Sequence, residues 1–421
     1  MFNRAVVVTL LALATGMDPA QALTFQFTFT PGTTAQQQAA FIAAGDAWSA
    51  QVSDPVTVKL TVGTSALSPG VLANRAVRHI SYTYVQARNA LAADATSLTD
   101  GIAVANLSAG SGFGVLINRT SDSPNGALSA TPYVDIGLGA NNTQLRLTAA
   151  NARALGLAVS VGGIASCTDC DASIQFSATG PWDYDPVDGI AGNAYDFTGL
   201  AVREIGTALG FVSGVDILDI NGSMGFLADL YTFVSPLDLF RWSTLSTASN
   251  VIDWAADNRD KYFSLDRGVT AGPSFSTGRF FGDGQQASYW KDGRGLGVMD
   301  SLAVLGERLT MSSFDVMALD AVGWNGPPTA ATVHYRAIGT VEGTTGNVAL
   351  LPIQGAEGDR FVMDFAYDTG QPDTDTFPGQ GTYPILGMTV RVAGVSVPIT
   401  GLGSGAGRIE VGNGVSQDSW G

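Results

Sequence analysis

Thr198–Phe211 reads TGLAVREIGTALGF, and this stretch decides the fold. Thr198 is a hydroxyl residue suited to cap a helix, and Gly210 is suited to end one. The helix so predicted carries Arg203 and Thr207 four residues apart on one face, with Glu204 beside Arg203. Upstream, Leu23–Thr30 (LTFQFTFT) alternates apolar and polar residues and reads as a strand. Thr33 or Thr34 then caps a helix to about Val52, with Phe41, Ala44, Trp48 and Val52 on one face. Asp54-Pro55 stops it, and Val56–Val62 alternates again as a strand. Tyr84–Ala93 reads as a helix, Tyr133–Leu138 as a strand, and Thr148 caps a short helix ending at Gly156. Downstream, Phe226–Asp300 has little periodicity, and long structured loops of this kind pack over sites. Ser312 and Asp315 form a capping-box pattern. Asn325-Gly326-Pro327-Pro328 is a chain breaker and marks a domain boundary. Beyond it, Thr332–Trp420 holds short alternating runs between Gly, Pro and Asp turns, the pattern of a small antiparallel sandwich. The fold class is therefore α+β: a mixed domain over residues 23–325 and a β-sandwich-like domain over 329–421.

Composition narrows the function. The 421 residues are 45% apolar and 14% charged, too apolar for disorder. Lys+Arg total 21 against 37 Asp+Glu, a net charge of -16, so a polyanion is repelled and nucleic acid is excluded as a partner. Residues 1–22 read as a signal peptide: Arg4, then the apolar run Ala5–Ala14, then the small-x-small site Ala20-Gln21-Ala22. That run is too short to span a bilayer, and no later stretch reaches the ~18 apolar residues an integral membrane segment needs. The expected place is the periplasm, the cell surface or the extracellular medium.

The helix of Arg203 and Thr207 has the geometry of the zinc pattern H-E-x-x-H. There, two imidazoles one turn apart hold the metal, and the intervening glutamate acts as general base on bound water. Here Glu204 remains, and both histidine positions are filled otherwise. The chain resembles secreted bacterial zinc-metalloprotease-like proteins of the zincin class, whose signature helix reads approximately HEIGHALGFVSGVD. The matching run is Arg203-Glu204-Ile205-Gly206-Thr207-Ala208-Leu209-Gly210-Phe211-Val212-Ser213-Gly214-Val215-Asp216. The likeness continues in Asp183–Ile190 (DYDPVDGI), Val234–Trp242 (VSPLDLFRW), Lys261–Leu265 (KYFSL), Phe275–Gly278 with Arg279, and Gln286–Gly297 followed by Val298-Met299-Asp300. It covers most of residues 23–325. The resemblance implies zinc positions at Arg203 and Thr207 and a third at Tyr289, in a segment like ASHWKD. It also implies Glu204 as general base if the protein is active. Residues 329–421 resemble a β module of bacterial exported proteins with C-terminal sorting tails.

Arginine has no free lone pair and keeps its charge, and threonine is a weak neutral ligand. No resident cofactor is therefore expected, zinc entering only under an enzyme reading. The two histidines, His79 and His334, lie away from the motif and read as ordinary hydrogen-bonded side chains. Asp183, Asp185 and Asp188 before Gly189 resemble the opening of a calcium loop, but Ala194 stands where a closing glutamate belongs; an acidic turn is the alternative. Cys167 and Cys170 are expected to form a small local disulfide in an exported protein. Asp216 and Asp219 lie where some zincins place a third ligand, and Met299 resembles the methionine turn beneath the zinc of one zincin branch. Three functions remain open to such a chain: a non-catalytic homologue that binds a protein or peptide partner, or serves structurally, at the cell envelope; a metallopeptidase with altered ligands; and a structural assembly protein.

Overall fold

The computed structural model describes residues 23–227 and 233–326, and five strands between residues 332 and 412. The expected signal peptide, 1–22, lies outside the described residues. The chain divides into two compact units, one spanning Pro19–Pro327 and one containing Pro328–Gly421.

In chain order the first unit comprises β1 (Thr24–Phe29), α1 (Ala35–Ser49), β2 (Thr57–Ser65), β3 (Ala73–Val77), β4 (His79–Thr83), α2 (Tyr84–Asp94), α3 (Leu98–Asn106), β5 (Val115–Ile117), β6 (Tyr133–Asp135), α4 (Ala140–Thr143), β7 (Gln144–Thr148), α5 (Ala149–Ala154) and β8 (Ala172–Ser177). There follow β9 (Trp182–Asp183), β10 (Tyr195–Asp196), α6 (Phe197–Leu209), α7 (Val215–Ser223), β11 (Arg241–Trp242), α8 (Thr244–Ala248), β12 (Ile252–Asp253), β13 (Lys261–Phe263), β14 (Ser274–Phe275) and α9 (Ser313–Ala321). Helices and strands are interleaved, an α+β arrangement. No described helix is long and apolar enough to cross a membrane.

The main sheet has the order β1-β2-β8-β3. β1, β2 and β8 run parallel, and β3 closes the edge antiparallel to β8. Parallel neighbours need a crossover, and α1 provides it between β1 and β2. Thr34 caps α1 through a reciprocal box with Gln37. The face carrying Phe41, Ala44 and Trp48 is buried, and it packs against α6. Val58, Leu60 and Val62 of β2 are fully buried at alternate positions, as a period of two requires.

α6 begins one turn-fraction earlier than its sequence suggests. Asp196, not Thr198, is the N-cap: its Oδ1 accepts from the Gly199 amide at 2.7 Å and its Oδ2 from the Leu309 amide at 3.0 Å. One carboxylate thus caps the helix and ties down a distant loop, which a threonine hydroxyl two positions later does not do. Gly210 ends the helix at φ +129°, as the glycine there requires.

The stretch from 233 to 300, without periodicity, is held by buried charge instead. Arg241 donates to the Ala287 carbonyl at 2.9 Å and the Ser276 carbonyl at 2.6 Å. Asp238 accepts from the Gly214 and Ser235 amides, both at 2.8 Å. Cys167 and Cys170 are joined in a disulfide, with Cα atoms 5.9 Å apart.

The second unit contains β15 (Thr332–Thr340), β16 (Arg360–Asp368), β17 (Gln380–Val392), β18 (Val395–Ile399) and β19 (Arg408–Gly412), all paired antiparallel. β17 pairs with β19 over Gln380–Pro384 and with β16 from Ile385 onward. A facing sheet of the kind a sandwich has is not among the described residues.

Where α2 ends, Asp54, Asp94 and Asn325 meet: the Asn325 amide donates to Asp54 at 2.7 Å and its Nδ2 to Asp94 at 3.3 Å. Burial, and then the nearby Asp54 charge, push the Asp94 carboxyl up to about 6 against the pull of Asn325. The folded chain therefore binds more protons than the unfolded chain between about pH 4 and 6, and stability falls as pH rises through that window. Asp94→Asn should stabilise the protein by about 1 kcal/mol at pH 7.5, the half-exposed site keeping the gain small, and by almost nothing at pH 4. Urea unfolding at the two pH values checks this; an equal effect at both contradicts it.

Candidate functional site

α6 is buried along almost its whole length, Gly199–Leu209 included. Any charge on such a helix must be met by an opposite charge or by hydrogen bonds. Glu204, with its side chain 2% exposed, is met twice. Its Oε2 accepts from Arg75 Nη1 at 2.8 Å, and its Oε1 lies 3.5 Å from Arg203 Nε. Arg75 comes from β3, the antiparallel edge of the main sheet, and its Nη2 also donates to Gln286 Oε1 at 3.2 Å. Arg203 Nη1 donates to the Asp300 carbonyl at 3.2 Å. Thr207 Oγ1 donates to the Arg203 carbonyl one turn back, at 3.3 Å.

Tyr289 is buried in the same place. Both guanidinium groups lie over its ring, Arg203 at 5.2 Å and Arg75 at 5.5 Å from the centroid. Its hydroxyl makes no hydrogen bond of sound geometry, although the Thr207 hydroxyl is close enough to act on it. Burial pushes the Tyr289 pKa up, against the pull of Arg75 and Arg203, so the phenol stays neutral. Burial also opposes the Arg75 charge, but the Glu204 carboxylate, by its charge and its hydrogen bond, holds the pKa above the ordinary arginine value. Arg203, Glu204, Thr207 and Tyr289 therefore converge on one cluster.

The surrounding residues fix that cluster. A Cβ on Gly206 would lie 2.7 Å from Met299 Sδ and 2.8 Å from Trp48 Cζ2, so only glycine lets both side chains reach the helix. Met299 is positioned by Asp315, which accepts from the Val298 amide at 2.9 Å and the Met299 amide at 3.2 Å. Asp216 accepts from the Ala287 amide at 2.6 Å, the Ser288 amide at 3.1 Å and the Ser288 hydroxyl, and so orients the segment carrying Gln286 and Tyr289. Asp219 does the same for Phe280 and Phe281, at 2.8 and 2.9 Å. These two aspartates hold loops by their carboxylates.

The residues present do not fit zinc. Both oxygens of Glu204 face guanidinium groups, Arg203 offers no lone pair, the Thr207 hydroxyl is turned to the helix backbone, and Tyr289 is a neutral phenol. Two permanent cations beside the glutamate repel a third. No catalytic step through a metal is derived for this cluster.

The remaining candidates lie elsewhere. Asp183 accepts from the Asp185 amide at 3.1 Å and the Ala191 amide at 2.9 Å, and Asp185 from the Val187 amide at 3.0 Å. Those two carboxylates close turns on their own backbone, while Asp188 is exposed. His79 opens β4 with Nδ1 3.0 Å from the Val77 carbonyl and its ring edge-on to Phe233. Burial, then the Arg146 charge, lower its pKa to about 4, so it is neutral. His334 stands on β15 opposite Ala366. Arg75 and Gln286 were not singled out in the sequence. Arg75 meets Glu204 across 129 residues of chain, and nothing local in ANRAV marks it.

No protein-family model, curated protein or solved structure matches this chain.

Removing Arg75 leaves Glu204 buried with only the longer Arg203 contact. Arg75→Met should cost about 2–3 kcal/mol, below the range for a fully buried pair because Arg75 is 21% exposed. The double change Arg75→Met with Glu204→Leu should cost less than the sum of Arg75→Met and Glu204→Leu made singly, since the Arg75–Glu204 pair is lost only once while Arg203 keeps its bond to the Asp300 carbonyl. Urea unfolding of the three proteins checks this, and a double variant at the sum of two separate losses contradicts it.

Proposed function

We propose that this chain is an exported, zincin-like protein that has exchanged metal chemistry for an internal ion cluster. It acts through its former cleft as a binding or structural protein at the cell envelope. The zincin-like reading is supported by the way Tyr289, from a distant part of the chain, meets Arg203, Glu204 and Thr207 on one helix with Met299 beneath it. The exported reading rests on the character of residues 1–22.

The observation that carries the non-catalytic reading is the Arg75–Glu204–Arg203 contact. A general base needs a carboxylate oxygen open to the water it deprotonates. Here one oxygen is in a charge-assisted hydrogen bond and the other faces a second guanidinium. The positive charge a metal would supply comes from two side chains, which hold Glu204 without offering an electrophile or an activated water. The result is a buried ion cluster that leaves no carboxylate oxygen open for hydrolysis.

The protein as isolated should hold no stoichiometric zinc by elemental analysis and should not cleave casein. Arg203→His with Thr207→His and Tyr289→His should bind zinc only weakly while Arg75 remains, and more when Arg75→Ala is added, because one resident cation is then removed. About one zinc per unmodified chain, with chelator-sensitive cleavage abolished by Glu204→Ala, would overturn the proposal in favour of a metallopeptidase with altered ligands.

A further inference from the structure

A cavity of about 250 Å³ opens beside the end of α3, apart from the Arg75–Glu204 cluster and sharing no residue with it. Tyr84, Phe113 and Trp242 line it, and all three are buried. Asn250 and Arg267 also line it, and both are non-glycine residues held at positive φ, 54° and 60°. Backbone strain of that kind persists where surrounding structure enforces it, and it gathers at sites.

The charge around the cavity is one-sided. Arg267 donates from Nε to the Asn106 carbonyl at 2.8 Å and from Nη2 to the Leu107 carbonyl at 3.3 Å. Behind it, Arg88 Nη1 donates to the Ser108 and Gly110 carbonyls at 3.0 and 2.9 Å. Among the described residues neither guanidinium is in an ion pair, and no Asp or Glu lines the cavity. The Tyr84 hydroxyl, donating to the Ser108 carbonyl at 2.7 Å, reports the same field. Burial pushes it up to about 12, and the charges acting on it are those of Arg88 and Arg267. In a chain with 37 acidic residues, two cations beside an aromatic cavity without a carboxylate call for an anion from outside.

We propose that this cavity binds a ligand joining a flat apolar body to a carboxylate: an aromatic acid, either free or as the C-terminal residue of a peptide. A cavity of about 150 Å³ accommodates a benzene ring, so the space here admits a ring with a short carboxylate-bearing arm. The ring meets the small exposed edges of Phe113 and Trp242 at edge or offset contacts. The carboxylate meets Arg267 at Nη1 and the second Nη2 hydrogen, the edge of the guanidinium that the Asn106 and Leu107 carbonyls leave free.

Titration calorimetry on the full chain tests this with three probes: 3-phenylpropionate, N-acetylphenylalanine and N-acetylphenylalanine amide. One-to-one binding is expected for an acid, tenfold or more tighter than for the amide, the ratio of about 1.5–3 kcal/mol for a charged hydrogen bond. The tighter of the two acids identifies the source, a free acid or a peptide terminus. Arg267→Gln should abolish the preference for the acid. Ala109→Trp places a large ring at an exposed lining position, and it should block binding while leaving the melting temperature unchanged. The proposal is overturned if no probe binds saturably at about 10 mM. It is equally overturned if the amide binds as tightly as the acids, or if Ala109→Trp has no effect on binding.

Discussion

Glu204 stands in the middle of a helix buried on nearly every side, and a carboxylate there must meet positive charge or give up its own. Arg75 and Arg203 supply that charge from two directions, one from the edge strand of the sheet and one from the helix itself. The contact joins three layers at once: β3 above, α6 at the centre, and the 286–300 segment through Gln286 and the Asp300 carbonyl. Buried ion pairs add little net stability when they form, yet breaking one is costly. Such a contact therefore fixes which arrangement the chain adopts more than how stable that arrangement is.

The same logic runs through the long aperiodic stretch. Asp216, Asp219, Asp238 and Asp315 are each turned onto backbone amides of distant loops. Burial raises the pKa of Asp216, Asp238 and Asp315, and the hydrogen bonds they accept pull it back. Loops that lack hydrophobic periodicity are thereby given a single conformation by carboxylates that satisfy their orphan N–H groups. A net charge of -16 thus describes more than the surface: part of the acidity is internal and structural.

Much of the fold was legible because its signals are local. Alternation in LTFQFTFT marks β1, and the Thr34, Thr148 and Ser312 caps fall where their hydroxyls precede apolar periods. The helix of Arg203 and Thr207 was legible with its C-terminal glycine, but its start was misplaced by two residues, because the role of Asp196 depends on Leu309. At the site, spacing along one helix placed Arg203, Glu204 and Thr207 together, and only a resemblance brought in Tyr289. Arg75 was invisible: an arginine in a short strand carries no local mark of a glutamate 129 residues away. The cavity beside Tyr84 was equally hidden, since its lining is drawn from five separated segments.

The central claim is that two guanidinium groups hold Glu204 and exclude a metal from the cluster. Anomalous diffraction at the zinc edge from crystals soaked in zinc tests it most directly. The account predicts Arg75 Nη1 still against Glu204 Oε2 and no anomalous peak within bonding distance of Glu204. A peak bonded to Glu204, with Arg75 swung away, would contradict it.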